Sequence, residues 1–176
     1  MLDEIYLKNN ILKKIYCALS LNTSKMKRSI FLIRTILFLS ILCSSSLAMA
    51  QEWLTDIDLA KERANKENKN IVLVFAGSDW CAPCIKLEKE IWESEVFKNY
   101  SRDNYILLKA DFPRQKKNKL SKELQKHNDA LAEQYNMQGY FPLVLLLDAK
   151  GKVLGKTGYK KVKPTDYINL LNSFKG

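Results

Sequence analysis

Ile71-Val72-Leu73-Val74-Phe75-Ala76-Gly77-Ser78-Asp79-Trp80-Cys81-Ala82-Pro83-Cys84 is the stretch that decides the fold. Residues 71–75 are a short continuous apolar run rich in branched side chains, the pattern of a central strand covered on both faces. A Gly-Ser-Asp turn follows, and then Cys-x-x-Cys opens a helical run over residues 85–100. This order puts the cysteines at the C-terminal end of the strand, where open α/β sheets carry their sites. Backbone N–H groups at a helix start have no intrahelical acceptors, so they and the positive end of the helix dipole favour a thiolate over a thiol. Cys81 is therefore read as the activated sulfur. Cys84 lies one helical turn further in, close enough to close a disulfide with Cys81, and is expected to be the more shielded of the two. Pro83 suits the first helical turn, which does not need its missing N–H.

Working outward, residues 53–68 carry Trp53, Leu54, Ile57, Ala60 and Ala64 between charged positions, which predicts a helix with Thr55 or Asp56 near its start. Beyond the cysteines, Ile85, Leu87, Ile91, Trp92 and Val96 are expected to form the buried side of the next helix. Residues 105–111 read as a second strand. A basic loop with Pro113, Arg114, Lys116, Lys117 and Lys119 leads into a helix over about 120–137, with Leu120, Leu124, Leu131 and Tyr135 at helical spacing. The loop reads as a solvated connection, with the docking of an acidic partner as the alternative. His127, the only histidine, is expected to be an exposed side chain. Residues 143–147 are a third apolar run, Asp148-Ala149-Lys150-Gly151 is a turn, and residues 152–157 complete a hairpin. Pro164-Thr165-Asp166 can start a last helix. This succession implies an α/β three-layer α/β/α sandwich with a mixed central sheet.

At 176 residues, with 47% hydrophobic and 27% charged, the chain can build one domain with a substantial core. The formal net charge of +10 is unevenly placed: the first fifty residues hold 7 Lys/Arg and 2 Asp/Glu, leaving an excess of about +5 on the remainder. That excess suits a lysine-rich solvated exterior, and no nucleic-acid partner is expected. Residues 26–50 read as an export signal: Met26-Lys27-Arg28 is a basic start, residues 30–42 are an apolar stretch interrupted by Arg34, and Ala48-Met49-Ala50 is a small-x-small site. The uninterrupted apolar core is too short to span a bilayer comfortably. Cleavage near Ala50 would deliver a periplasmic or secreted domain over residues 51–176; an uncleaved membrane anchor and lipid attachment at Cys43 are the alternatives. Residues 1–25 read as an extension from a start codon placed too far upstream. Cleavage would also remove Cys17 and Cys43, and a single vicinal pair closes too small a loop to stabilise much by chain entropy. The remaining disulfide is thus read as a working one.

The strand, the Trp-Cys-x-x-Cys helix start and Tyr140-Phe141-Pro142 ahead of another apolar run together resemble the thioredoxin superfamily, over about residues 53–174. Within it the chain is similar to the C-terminal periplasmic domain of the membrane thiol:disulfide interchange protein and to small exported relatives of that domain. The resemblance implies a monomeric thiol-disulfide oxidoreductase that reduces or isomerises disulfides of exported proteins and is re-reduced by a membrane thiol:disulfide donor. It needs no cofactor beyond the redox-active Cys81–Cys84 disulfide, and no metal site is expected. It also implies a cis bond before Pro142, with Trp80, Ala82, Pro83, Tyr140, Phe141 and Pro142 forming the client groove. Ala82-Pro83 between the sulfurs resembles the dipeptides of reducing members. One departure stands out, because Phe75 occupies the position where the family carries a buried acid. Glu88, on the helical face of both cysteines, resembles an acid of the interchange-protein domain and is the expected proton acceptor for Cys84; a surface ion pair with a lysine is its alternative role. Two other functions remain open on sequence alone, a Cu(I)-binding module using both thiolates and a client-binding or chaperone domain whose sulfurs idle.

Overall fold

A computed structural model describes residues 51–175. The proposed export signal over 26–50, the extension over 1–25, Cys17 and Cys43 lie outside the described residues.

The elements follow from local chemistry. Strand β1 (Trp53–Leu54) is brief, and helix α1 (Ile57–Glu67) begins after Asp56, whose Oδ1 accepts the Asp58 and Leu59 N–H groups at 2.8 and 2.9 Å. The expected helix over 53–68 therefore loses its first residues: Trp53 and Leu54 pair in parallel with Leu107 and Leu108, and the aspartate cap separates them from the helix. Strand β2 (Asn70–Ala76) leads to the Gly-Ser-Asp turn and helix α2 (Ala82–Leu87). The helix continues as a π-helical turn (Glu88–Trp92), breaks at Glu93-Ser94, and restarts as α3 (Glu95–Asn104). Ser94 caps that restart, its Oγ accepting the Phe97 N–H at 3.2 Å.

The single helix expected over 85–100 is thus two, and its buried side changes accordingly. Leu87, Ile91 and Trp92 are buried as expected, but Ile85 and Val96 are 36% and 47% exposed and Phe97 is fully buried instead. The wider π turn and the break rotate the following residues about the helix axis, so a simple 3.6-residue count drifts off the core.

Strand β3 (Tyr105–Asp111) occupies the expected residues, and helix α4 (Lys122–Tyr135) starts at its Ser121 cap, slightly inside the expected span. Strands β4 (Leu143–Leu147) and β5 (Val153–Thr157) form the hairpin, and α5 (Pro164–Asn172) closes the chain. The sheet order is β1-β3-β2-β4-β5, with β1, β3 and β2 parallel and β4 antiparallel to both β2 and β5. Alternate strand residues serve opposite faces. Val72, Val74 and Ala76 join Leu87, Trp92, Phe97 and Tyr167 on one side, while Ile71, Leu73 and Phe75 join Ala60, Ala64 and Leu131 on the other. A three-layer α/β/α sandwich results, with β2 at its centre and the cysteines at that strand's exit. Each fully buried Val, Leu, Ile or Phe contributes about 1.5–3 kcal/mol, which is why the two-sided strand anchors the turn that follows it.

His127 corrects its expectation. It is only partly exposed, and its Nε2 accepts the Ile57 N–H at 3.3 Å, so α4 supplies an acceptor to the first turn of α1.

Candidate functional site

Cys81 is the N-cap of α2, with φ −89° and ψ 98°, and its Sγ accepts the Cys84 N–H at 3.3 Å. An N-cap atom sits where the helix presents its unpaired N–H groups, so a negative charge on this sulfur meets a donor already aimed at it. Cys81 and Cys84 are joined by a disulfide, with Cα atoms 5.2 Å apart. The expected difference in shielding is absent: Cys81 is 4% and Cys84 5% exposed. Both side chains belong to the core cluster on the Val74 and Ala76 side of the sheet, and Trp80 and Phe141 pack against that cluster, so the bonded pair lies just under the surface. Ala82 and Pro83, between the sulfurs, are exposed.

The turn before Cys81 is built by close approach. The Gly77 carbonyl accepts the Cys81 N–H at 2.9 Å and the Trp80 N–H at 3.3 Å. A methyl group on Gly77 would come within 2.6 Å of the Trp80 Nε1, so the Trp80 ring can lie over this backbone only because residue 77 is glycine. The Trp80 Nε1–H donates to the Phe112 carbonyl at 2.7 Å, and its ring meets Phe141 edge to face with centroids 5.4 Å apart. Phe141 also packs edge-on against Phe112 at 5.5 Å.

The Phe141–Pro142 peptide bond is cis. The segment before it is held by a residue that sequence reasoning did not select. Buried Asn136 accepts the Tyr140 N–H on Oδ1 and donates from Nδ2 to the Tyr140 carbonyl, both at 2.9 Å. Gly139, with φ 67°, makes the turn that brings Tyr140 back onto Asn136. The Tyr140 side chain is left 58% exposed. Asn136→Ala strands two backbone groups, and the expected loss of stability is about 1–3 kcal/mol. Urea denaturation measures this, and an unchanged midpoint would contradict the clamp.

Two carboxylates hold the other flank. Asp111, at the end of β3, accepts the Ser78 N–H at 2.9 Å and the Ser78 hydroxyl at 2.5 Å. Asp79 accepts the Arg114 and Gln115 N–H groups and Asn118 Nδ2, each at 2.9 Å. The Arg114 N–H above all, with the Asn118 and Gln115 donors, holds the Asp79 carboxyl below the ordinary aspartate range against an opposing desolvation effect. Its folded pKa therefore lies under the unfolded value of about 3.9. The stabilisation is fully present above that unfolded value and is lost as pH falls through the lower folded one. A carbon-13 titration of the Asp79 carboxyl should give a midpoint below 3.9, and a midpoint at or above it would show that these bonds do not form in solution.

The remaining expected residues fall as follows. Phe75 is fully buried and faces the opposite side of the sheet from the cysteines, so that position supplies no acid. Glu88 opens the π turn, and its Oε2 accepts from Lys109 Nζ at 2.8 Å, while its Oε1 has no hydrogen-bond partner among the described residues. Lys109 also lies 4.6 Å from the centre of the Trp53 ring. Among the described residues no three His, Cys, Asp or Glu side chains gather as a metal centre would require.

Two sulfurs one helical turn apart can pass between dithiol and disulfide, a two-electron change that needs no cofactor beyond the pair itself. At the start of the helix that follows the central strand, with the cis-proline loop packed against the same cluster, that pair defines a thiol-disulfide oxidoreductase of the thioredoxin fold. The chain belongs to the Thioredoxin-like family, which it matches over residues 52–149. It is 34% identical over 114 residues to the disulfide bond reductase DsbH of Chlamydia pneumoniae, covering 65% of this chain and 67% of that protein. It is 22% identical to the thioredoxin-related protein DsbJ of the same organism, of which it spans only 30%. Among solved structures, a DsbH oxidoreductase superposes with a TM-score of 0.63 at 29% identity, covering 74% of this chain and 90% of that one. A disulphide isomerase from Xylella fastidiosa Temecula1 shares the fold with a TM-score of 0.51 at 18% identity, over 76% of this chain and 95% of that one.

Proposed function

We propose that the protein reduces disulfides of exported proteins in the cell envelope, with Cys81 as the attacking thiolate and Cys84 as the resolving thiol. The observation that carries the reading is the disulfide itself, set at a helix start where the Cys84 N–H already donates to Cys81 Sγ. Starting from the dithiol, the Cys81 thiolate attacks one sulfur of a client disulfide. A mixed disulfide forms and the other client sulfur leaves as a thiolate, which takes up a proton. Cys84 then loses its proton to Glu88 and attacks Cys81 Sγ, closing Cys81–Cys84 and releasing the second client thiolate. Two electrons pass to the client, and a membrane thiol:disulfide donor returns them.

The unengaged Oε1 of Glu88 supports its part, while Oε2 is held by Lys109 Nζ at 2.8 Å. Trp80, Ala82, Pro83, Tyr140, Phe141 and Pro142 form the client surface: exposed Ala82, Pro83 and Tyr140 offer contact area, and the packed Trp80 and Phe141 rings fix its floor. The Ala82-Pro83 dipeptide between the sulfurs and the reductase named among the relatives favour reduction over oxidation. Residues 26–50 direct export, with cleavage near Ala50, and the mature protein works as a monomer. The purified protein, kept reduced by dithiothreitol, is expected to accelerate precipitation of insulin B chain well above the dithiothreitol background. A protein that binds Cu(I) stoichiometrically and leaves insulin untouched would contradict the proposal.

A further inference from the structure

We propose that residues 114–119 are a docking surface for acidic chain flanking a client's disulfide. The inference rests on the exchange reading above and adds which clients that site favours.

Between Asp111 and Glu123 the chain carries Arg114, Lys116, Lys117, Lys119 and Lys122 and no carboxylate. Residues 114–119 are all exposed. The described residues hold ion pairs for Lys61, Arg63, Lys69, Lys98 and Lys109, but Lys116, Lys117 and Lys119 form none. Asp79, the carboxylate hydrogen-bonded to this loop, spends its oxygens on the Arg114 and Gln115 N–H groups and the Asn118 amide and pairs with none of the three ammonium groups.

A connection that merely carried solvated lysines would need no fixed position. This one is fixed to the sulfur site from several directions. Phe112 is bonded through its N–H to the Ala76 carbonyl at 2.8 Å and through its carbonyl to the Trp80 ring. Gln115 Nε2 donates to the Asp79 carbonyl at 3.2 Å. The Arg114 guanidinium lies 3.6 Å from the centre of the Trp80 ring, and Trp80 is bonded in sequence to Cys81. The short 3-10 turn Lys116–Asn118 then displays its lysines outward from this anchorage. Whatever acidic segment settles on the turn is held beside Cys81. An acidic stretch continuous with a disulfide uses the lysines and the neighbouring sulfur pair at once, which a lipid surface or a nucleic acid does not.

Exposed charges act mainly on encounter and are screened by salt, so the effect belongs in half-saturation and not in the limiting rate. The test follows single-turnover oxidation of the reduced protein by two peptides that share one disulfide loop and differ only in flanks of Asp/Glu or of Ser/Gln. At low salt the acidic peptide should half-saturate at a concentration about tenfold lower, with an equal limiting rate. In about 1 M salt, where the Debye length is near 3 Å, the advantage should vanish. K116Q/K117Q/K119Q should erase it as well, with the uncharged peptide reacting as in the parent. Equal behaviour of both peptides in the parent, or a preference that survives salt or the triple variant, overturns the inference while leaving the exchange activity standing. Binding to phosphatidylglycerol vesicles that the triple variant loses, without any peptide preference, overturns it in favour of lipid. Failure of the parent to react with either peptide overturns the proposed function itself, and this inference with it.

Discussion

Cys81→Ser is expected to bring disulfide reduction down to the reductant background, a loss of at least about a thousandfold, as when other enzymes lose their nucleophile. The thiolate is the attacking species in exchange, and a serine hydroxyl neither ionises near neutral pH nor forms a bond a thiol can reverse. Cys84→Ser should behave differently. Cys81 would still capture a client, but the attack that releases it would be gone. In the parent that attack is intramolecular, between residues with Cα atoms 5.2 Å apart, and gains accordingly in effective concentration. A covalent adduct between the variant and one client sulfur should accumulate on non-reducing gels and disappear with dithiothreitol. Adducts formed by Cys81→Ser and not by Cys84→Ser would reverse the assigned order of the two sulfurs.

Trp92→Ala should have the largest effect on stability, about 3–5 kcal/mol. Trp92 is 1% exposed, with ring centroids 4.5 Å from Phe97, 5.4 Å from Tyr167 and 5.8 Å from Trp53. It joins the cysteine helix to α3, α5 and the edge strand, so truncation leaves a cavity that several elements cannot fill together. The neighbouring Val96→Ala is a control of opposite expectation: at 47% exposure it should change stability by no more than about 0.5 kcal/mol. Urea denaturation of both variants separates the packing described from one in which Val96 faces the core. Equal costs at the two positions would contradict the broken helix.

What the sequence made legible was whatever a local pattern dictates. The branched run before the turn, the hairpin around Asp148 and the cysteine spacing announced themselves because each depends on a few consecutive residues. The break at Ser94 was also written locally, as a serine cap followed by Glu95, yet it was hidden inside an apolar periodicity that a single helix explained almost as well. Trp53 and Leu54 misled for a different reason. Their pairing with Leu107 and Leu108 is made across the fold, and a two-residue strand has no periodicity to show.

The site divides in the same way. Cys81, Cys84 and Pro142 stood out by motif, while Asn136, Gly77 and Asp111 did not. Their work is to satisfy backbone groups or leave room for a ring, and such partners are chosen by tertiary geometry. Asp79 lies two residues before Cys81 in sequence, but its carboxylate is turned to the basic loop, with donors from Arg114, Gln115 and Asn118. The shielding of Cys81 was equally beyond the sequence, since the bonded sulfurs share the core side of the sheet with Trp80 and Phe141 packed against them.

That shielding makes access to a reactive Cys81 the claim on which the mechanism turns. The direct measurement is the pH dependence of iodoacetamide alkylation of the fully reduced protein, with the modified residue identified by peptide mass. Rapid modification confined to Cys81, with a midpoint well below the ordinary thiol value of about 8.5, is the expected result. Slow modification at neutral pH, or equal modification of Cys81 and Cys84 with an ordinary midpoint, would contradict it.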